Sequence, residues 1–469
     1  MSLDPLILSR IQFGFTISWH IIFPSFTIGL AAWLATMEGM SLATGNPVYR
    51  RLFDFWVKIF AVSFGMGVVT GIVMAFQFGT NWSVLAAHSG SIQGPLLGYE
   101  TFTGFLLEAT FLGVMLLGRD RVSPGVYFFA CCMVSIGTLF SSFWILANNT
   151  WMQVPLGQQT VGGKFVPSDW TTIITNSVFL RRWLHMLLAA FLTTSMCVSA
   201  AGAWYVLRGI HRSEARSMMH WGMGLAAVLI PVQLLVGHLT GVYVVQHQPS
   251  KIAAIEARWH DEKPASEVII AWPDEEKREN LFAITLPPPW GSLVDSGSTT
   301  AAEVGFASIP RENWPPVAIP FFTFRIMVGM GLLILAVSWF GNWLRFRGRL
   351  ETTRWFLWCA FLAFPTGFVA IIAGWVTAEV GRQPWIVYGV LRTADAVTPS
   401  LTGPEALATL LGYVIVYAFI YGFGFSYIYR LLREGPTEAG VRHAPATGNR
   451  PMQAAGSAET ATGRAAAAE

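Results

Sequence analysis

The run WLHMLLAAFLTTSMCVSAAGAWYVL, residues 183–207, contains no Asp, Glu, Lys or Arg. Wound as an α-helix at about 1.5 Å per residue, it is long enough to cross the roughly 30 Å hydrocarbon layer of a bilayer. Lipid offers no hydrogen-bond partners, so a run of this kind reads as a helix that satisfies its own backbone. Eight other segments share the pattern. The nine have edges near 13–37, 56–78, 95–117, 125–147, 183–207, 219–242, 319–342, 355–379 and 407–430. The predicted fold class is an all-α polytopic membrane protein. Composition agrees, with 12% charged residues, 53% hydrophobic ones and a mean hydropathy of +0.50. A soluble domain carries about 25% charged residues. The 20 Trp and 34 Phe suit aromatic belts and the packing of large flat cofactors. A net charge of +3 favours no class of partner. Cys131, Cys132, Cys197 and Cys359 lie in apolar runs without metal-type spacing and read as core residues.

The first ten residues, MSLDPLILSR, lack a cationic stretch and a cleavage site, so the first span reads as an uncleaved anchor. Residues 1–242 are expected to hold spans one to six, 243–318 a large loop, and 319–434 spans seven to nine. Residues 435–469 read as a low-complexity, disordered tail. The short-loop cations Arg50, Arg51, Arg119, Arg121, Arg208, Arg212, Arg216, Arg345, Arg347, Arg349, Arg354, Arg430 and Arg433 fall on one side. That side is the cytoplasmic one by the positive-inside rule, which puts the N-terminus outside and residues 243–318 in the extracytoplasmic space.

Ionisable groups inside such spans are costly and mark function by default. His20 lies in ISWHIIFPSF, His185 in RRWLHMLLAAF, Met327 in FRIMVGMGLL and Glu379 in AGWVTAEVGRQPW. The expected topology puts all four in the outer half of the membrane. His and Met form a common axial pair for low-spin haem iron, which makes His185 and Met327 the best candidate pair. The alternatives are a structural hydrogen bond for the histidine and core filling for the methionine. Arg325 has two open readings, meeting a haem propionate or snorkelling to the interface. Glu379 shares a helix face with Trp375 and precedes Arg382 and Trp385 at the membrane boundary. It reads as an iron ligand that leaves the opposite position open, or as half of a salt bridge. His20 suits a further iron in the same way.

Glu100 and Glu108 are eight residues apart, about 80° around a helix, so broadly on one side. Mid-span carboxylates are expected in proton relays, against a structural, hydrogen-bonded acid. Lys58 either snorkels or marks a cytoplasmic proton entrance. In QHQPSKIAAIEARWH, Lys251 and Glu256 lie on a short helix, either a solvated amphipathic one or a quinone headgroup site. The stretch LPPPWGSLVDSGSTT reads as irregular. There is no GxGxxG between strand and helix, no Walker A motif, no CxxCH and no transporter-type repeat. A relay-only membrane cytochrome and a haem-free secondary transporter are the competing classes.

Five motifs in order, GYETFTGFLLEATFLG (98–113), RRWLH (181–185), QPSKIAAIEARW (248–259), FRIMVGMG (324–331) and GWVTAEVGRQPW (374–385), carry a family resemblance. Up to its tail, the chain resembles subunit I of the cytochrome bd-type quinol oxidases. The resemblance implies nine helices, largely arranged as four-helix bundles, that hold three haems. His185 and Met327 would bind a low-spin haem b, with Arg325 nearby. His20 and Glu379 would each ligate one of the other two, a high-spin haem b and haem d, with Arg382 and Trp385 beside the cofactors. The short loop after span six resembles the short-loop branch, which includes cyanide-insensitive oxidases, and a further haem b is the alternative to haem d.

Trp375 would lie between the haems. Glu100, Glu108, Ser141 and Lys58 match the proton route, and Gln248, Lys251 and Glu256 the quinol loop. The implied activity is a terminal respiratory one in the bacterial inner membrane. Ubiquinol or menaquinol is oxidised at the outer face, and O2 is reduced to water with cytoplasmic protons, generating a proton-motive force without pumping. The implied partners are subunit II, a small single-helix subunit and membrane lipid, with no nucleic acid.

Overall fold

Pro24 has no N–H to donate, and its ring clashes with the carbonyl four residues back, that of His20. The computed structural model accordingly breaks the first span at this point. Pro5–His20 and Ile22–Thr44 meet at Ile21 within one long helix, α1 (Pro5–Thr44). The structure describes residues 3–288, 290 and 302–436. Most of the expected disordered tail and much of LPPPWGSLVDSGSTT lie outside them.

The other spans are α2 (Pro47–Thr80), α3 (Ser83–Leu117), α4 (Pro124–Gln153), α5 (Phe179–Arg208) and α6 (Arg212–His247). After a short loop helix, α7 (Pro249–Ile255), come α8 (Ala318–Phe346), α9 (Arg354–Val380) and α10 (Gly403–Glu434). Among the described residues nine helices are long and apolar enough to cross a membrane, as expected. Their ends overshoot the sequence-based edges. Residues 83–94, expected as a connection, are the first turns of α3, because polar residues beyond the lipid-facing run stay helical. Local signals set the starts. Asp4, Asn46 and Ser123 each cap a helix that opens with proline, and Thr402 forms a capping box with Glu405.

Two rings of four helices form the body. In one, α1 packs on α2 and α4, and α3 closes the circle between them. In the other, α5 packs on α6, α6 on α8, α8 on α9 and α9 on α5. The rings meet where α5 lies against α1 and α4, and α10 covers α1 and α2 from outside. Small residues allow this closeness, since lipid gives helices no hydrophobic drive to associate. A Cβ at Gly29 of α1 would sit 2.5 Å from Thr194 Oγ1 of α5. Outward faces are apolar, as with Phe419 and Phe423 on α10.

The chain enters α5, α8 and α10, and leaves α4, α6 and α9, at one shared end. There three small antiparallel hairpins pair β1 (Gln158–Val161) with β2 (Lys164–Pro167), β3 (Glu267–Asp274) with β4 (Glu279–Leu286), and β5 (Trp385–Val387) with β6 (Leu391–Arg392). At the opposite end the arginine-rich turns are tied down. Arg119 grips Glu38 at 2.7 Å, with its guanidinium over Tyr127, and Arg51 pairs with Glu214 at 2.6 Å.

Candidate functional site

His20, His185, Met327 and Glu379 each lie in the half of their helix nearest the hairpin end. The rings divide them. A cavity of about 920 Å³ inside and beside the first ring is lined by His20, Trp375 and Glu379, and also by Glu100, Glu108, Ser141 and Arg382. His185 and Met327 belong to the second ring, on the diagonally placed α5 and α8. Helix α9 is the wall between the two. Its Gly374 faces the second ring, while Trp375, Val376 and Glu379 face the cavity.

The local chemistry at each point fits a haem. His20 Nδ1 lies 2.9 Å from Thr70 Oγ1. With the Thr70 hydroxyl proton on the carbonyl of Met66 or Gly67, Nδ1–H would donate to Thr70, and the lone pair of Nε2 would be left for a metal. A Cβ at Gly71 would meet the His20 ring at 3.2 Å, so glycine gives the imidazole its place. The walls are largely apolar, as a macrocycle requires, and Arg10 and Arg382 supply cations in the lining. Among the described residues Arg382 Nε and Nη1 are buried without a partner, donors suited to a carboxylate substituent. In the second ring His185 Nδ1 is buried and has no partner among the described residues, and a Cβ at Gly237 would come within 3.1 Å of its ring. Met327 Sδ occupies the space left by Gly374, where a Cβ would come within 2.7 Å.

Glu379 is held on three sides. Its Oε1 accepts from Asn149 Nδ2 at 3.0 Å and Gln153 Nε2 at 3.1 Å, and Oε2 pairs with Arg382. Asn149 in turn accepts from Arg182, which also donates to Thr150. The salt bridge weighed from sequence is therefore present, and Glu379 still lines the cavity.

Glu100 opens a π-helical stretch, Glu100–Phe105, inside α3. Such insertions shift helical register and recur at functional sites. Here Glu100 Oε1 accepts from Ser141 at 2.7 Å, and Gly104 lets the α4 backbone approach, since a Cβ would lie 2.8 Å from Ser141 Cα. Glu108 packs against Gly137, and its Oε1 is buried without a partner among the described residues. Both acids thus share one side, as expected, although the stretch between them is not a regular α-helix.

The remaining sequence candidates lie outside the cavity lining. Lys58 is exposed on α2, on a helix face turned away from the cavity, as a snorkelling side chain would be. Trp385 lies in β5 with Arg392 stacked over it at 4.6 Å, away from the cavity lining. Arg325 binds the loop in place of snorkelling. All its N–H groups go to the carbonyls of Ile255, Val268, Ile269 and Phe321 and to Glu256, so it clamps the loop onto α8. Lastly, α7 is not a solvated amphipathic helix. Lys251 and Glu256 are buried, Lys251 Nζ donates to Gln153 Oε1 at 2.6 Å, and Gln248 Nε2 donates to the Gln153 carbonyl at 2.8 Å. Burial pulls the Lys251 ammonium well below the usual lysine range, against the pull of the Glu379 carboxylate.

An Arg325→Ala variant strands several carbonyls, at about 1–3 kcal/mol for each one left buried. Limited proteolysis is expected to cut the 249–286 region faster in that variant, and an unchanged rate would show that the clamp carries no load. Thr70, Asn149, Gln153 and Arg182 escaped sequence reasoning as site residues. The polar run NNTWMQ (148–153) ending an apolar helix was the available signal. Asn148, in the same run, lines the cavity with its Oδ1 unpartnered.

Two helical rings, divided by a wall that carries a tryptophan and a carboxylate, define a polytopic membrane protein suited to hold flat iron cofactors between its helices. The chain belongs to the cytochrome bd terminal oxidase subunit I family, whose model matches residues 8–436. It is 32% identical to cytochrome bd ubiquinol oxidase subunit 1 of Bacillus subtilis (strain 168), covering 88% of this chain and 91% of that one. It is 31% identical to cytochrome bd-II ubiquinol oxidase subunit 1 of Escherichia coli (strain K12), over 87% of this chain and 92% of that one. The solved bd oxidase from Geobacillus thermodenitrificans superposes with a TM-score of 0.86 at 27% identity, covering 92% of this chain and 99% of the matched chain.

Proposed function

We propose that this chain is the haem-bearing subunit of a terminal respiratory quinol oxidase in the bacterial inner membrane. It oxidises quinol at the outer face and reduces O2 to water with cytoplasmic protons. The observation that carries the reading is the single cavity lined by candidate iron ligands, His20 and Glu379, and by two buried acids, Glu100 and Glu108. Haem, when bound, would supply the one-electron chemistry of oxygen reduction.

The chain's own groups do the rest. His185 and Met327 would hold a low-spin haem b in the second ring. His20 and Glu379 would each hold one of two further haems, a high-spin haem b and haem d or another haem b. Asn149, Gln153 and Arg382 fix the Glu379 carboxylate, and Trp375, on the cavity face of α9, would lie between the haems. Glu108 takes up protons and Glu100, oriented by Ser141, passes them into the cavity. The N-terminus faces outward, so electrons from quinol and protons from the cytoplasm meet across most of the membrane, and charge is separated without a pump. Ubiquinol or menaquinol docks at the loop helix with Gln248, Lys251 and Glu256. Subunit II and a small single-helix subunit complete the enzyme.

The test is a reduced-minus-oxidised spectrum of the purified complex, repeated with carbon monoxide. Haem b bands with a chlorin band and a carbon monoxide response are expected, or b bands alone with that response if a further haem b replaces haem d. Haem without the response would leave only an electron relay, and no haem would end the reading. Gly374→Val adds bulk where Met327 Sδ sits, so it is expected to lose the low-spin signal while keeping the carbon monoxide response. An unaltered low-spin band would remove Met327 as a ligand.

A further inference from the structure

We propose that Gln153 is a positioning residue that couples the loop helix α7 to the Glu379 carboxylate, so that the placement of Lys251 is felt at the site Glu379 serves. The inference rests on the functional reading above. Gln153 is the last residue of α4 and is buried. Its Nε2 donates to Glu379 Oε1 at 3.1 Å and to the Ala378 carbonyl at 3.4 Å. Its Oε1 accepts from Lys251 Nζ at 2.6 Å and Gln248 Nε2 at 3.1 Å.

The amide has one workable orientation. Turned over, its NH2 would face the Lys251 ammonium and its oxygen would face the Glu379 carboxylate, replacing two attractions with two repulsions. A side chain locked at both ends transmits displacement, because neither hydrogen bond can be kept if the other partner moves away. The backbone supports the same path. Lys251 lies over Gly381, two residues beyond Glu379, where a Cβ would come within 2.8 Å of Lys251 Cγ. Gln248 also anchors to the Gln153 carbonyl, so the start of α7 and its Lys251 turn both rest on one residue. A shift of α7 on ligand binding therefore reaches Glu379 through a single amide.

The experiment is a double-mutant cycle on the purified complex, with Lys251→Met, Gln153→Met and the pair, read by redox titration of each haem band. Loss of the donor to Glu379 Oε1 leaves a more basic carboxylate, so Gln153→Met is expected to lower the midpoint of the band that depends on Glu379. Lys251→Met is expected to shift that band in the native background and to shift it by less than half as much with Gln153→Met. The band that depends on His185 and Met327 should not move. Amide exchange over residues 249–256 should rise in Gln153→Met.

Equal Lys251→Met shifts in both backgrounds, no shift at all, or parallel movement of every haem band would overturn the coupling. Raised exchange with unmoved bands would also overturn it, leaving only a structural tether. Should Gln153→Met not assemble, Gln153→Glu keeps the acceptor for Lys251 and replaces the donor to Glu379. It must then shift the same band, and an unmoved band overturns the proposal. If Glu379→Ala leaves every haem band in place, the functional reading has failed instead.

Discussion

Oxygen consumption driven by quinol is expected to fall at least about 100-fold in a His185→Leu variant, with the low-spin haem band lost and the carbon monoxide response kept. Altering groups that merely support a metal ligand costs roughly 10- to 100-fold, so removing a ligand sets that as a lower bound. The separation of effects follows from the two rings. His185 packs against Gly237 of α6, and Met327 sits against Gly374 of α9, while the cavity with His20 and Glu379 lies on the far side of α9. Leucine is close to histidine in bulk and suits the apolar surroundings, so the ring should still close. Met327→Leu should reproduce the spectral loss. Quinol oxidation persisting in both variants would mean that electrons enter by another route.

Glu108→Gln is expected to slow turnover about 100-fold with haem content unchanged, within the range removed when a proton-transferring group is lost. The substitution is nearly isosteric, and Oε1 has no hydrogen bond to forfeit. A carboxylate in that position is poorly explained as structural, since buried polar atoms without partners are rare unless they have work to do. Glu108→Asp should restore part of the rate, provided that the shorter side chain still reaches the cavity. The measurement is oxygen uptake together with external pH change in vesicles that contain the complex. Full activity in Glu108→Gln would remove it from the proton route and leave Glu100, with its bond to Ser141, as the entry point.

Long-range partners account for most of what sequence reasoning missed. Glu379 depends on Asn149 and Gln153, which precede it by 230 and 226 residues, and Lys251 reaches back 98 residues to Gln153. No periodicity encodes such pairings. Arg325 was legible as a cation near a helix end, but the carbonyls it binds belong to a loop whose folding the pattern does not describe. The π-helical turn at Glu100 likewise follows from close packing against Ser141 rather than from a local propensity.

The nine spans were readable along the chain, because a helix that crosses lipid must be long and apolar. His20, His185, Met327, Glu379, Glu100 and Glu108 were readable too, because ionisable or polarisable groups stand out in such runs. The break in α1 was also encoded locally, by Pro24. Which of these residues share a cavity, and which stand in the neighbouring ring, depended on how the helices pack. Packing also turned Lys58 outward and buried Lys251 beside Gln153. Burial in lipid acts on each helix separately and is written along the chain, whereas hydrogen-bond partners and cavities arise from helices brought together across hundreds of residues.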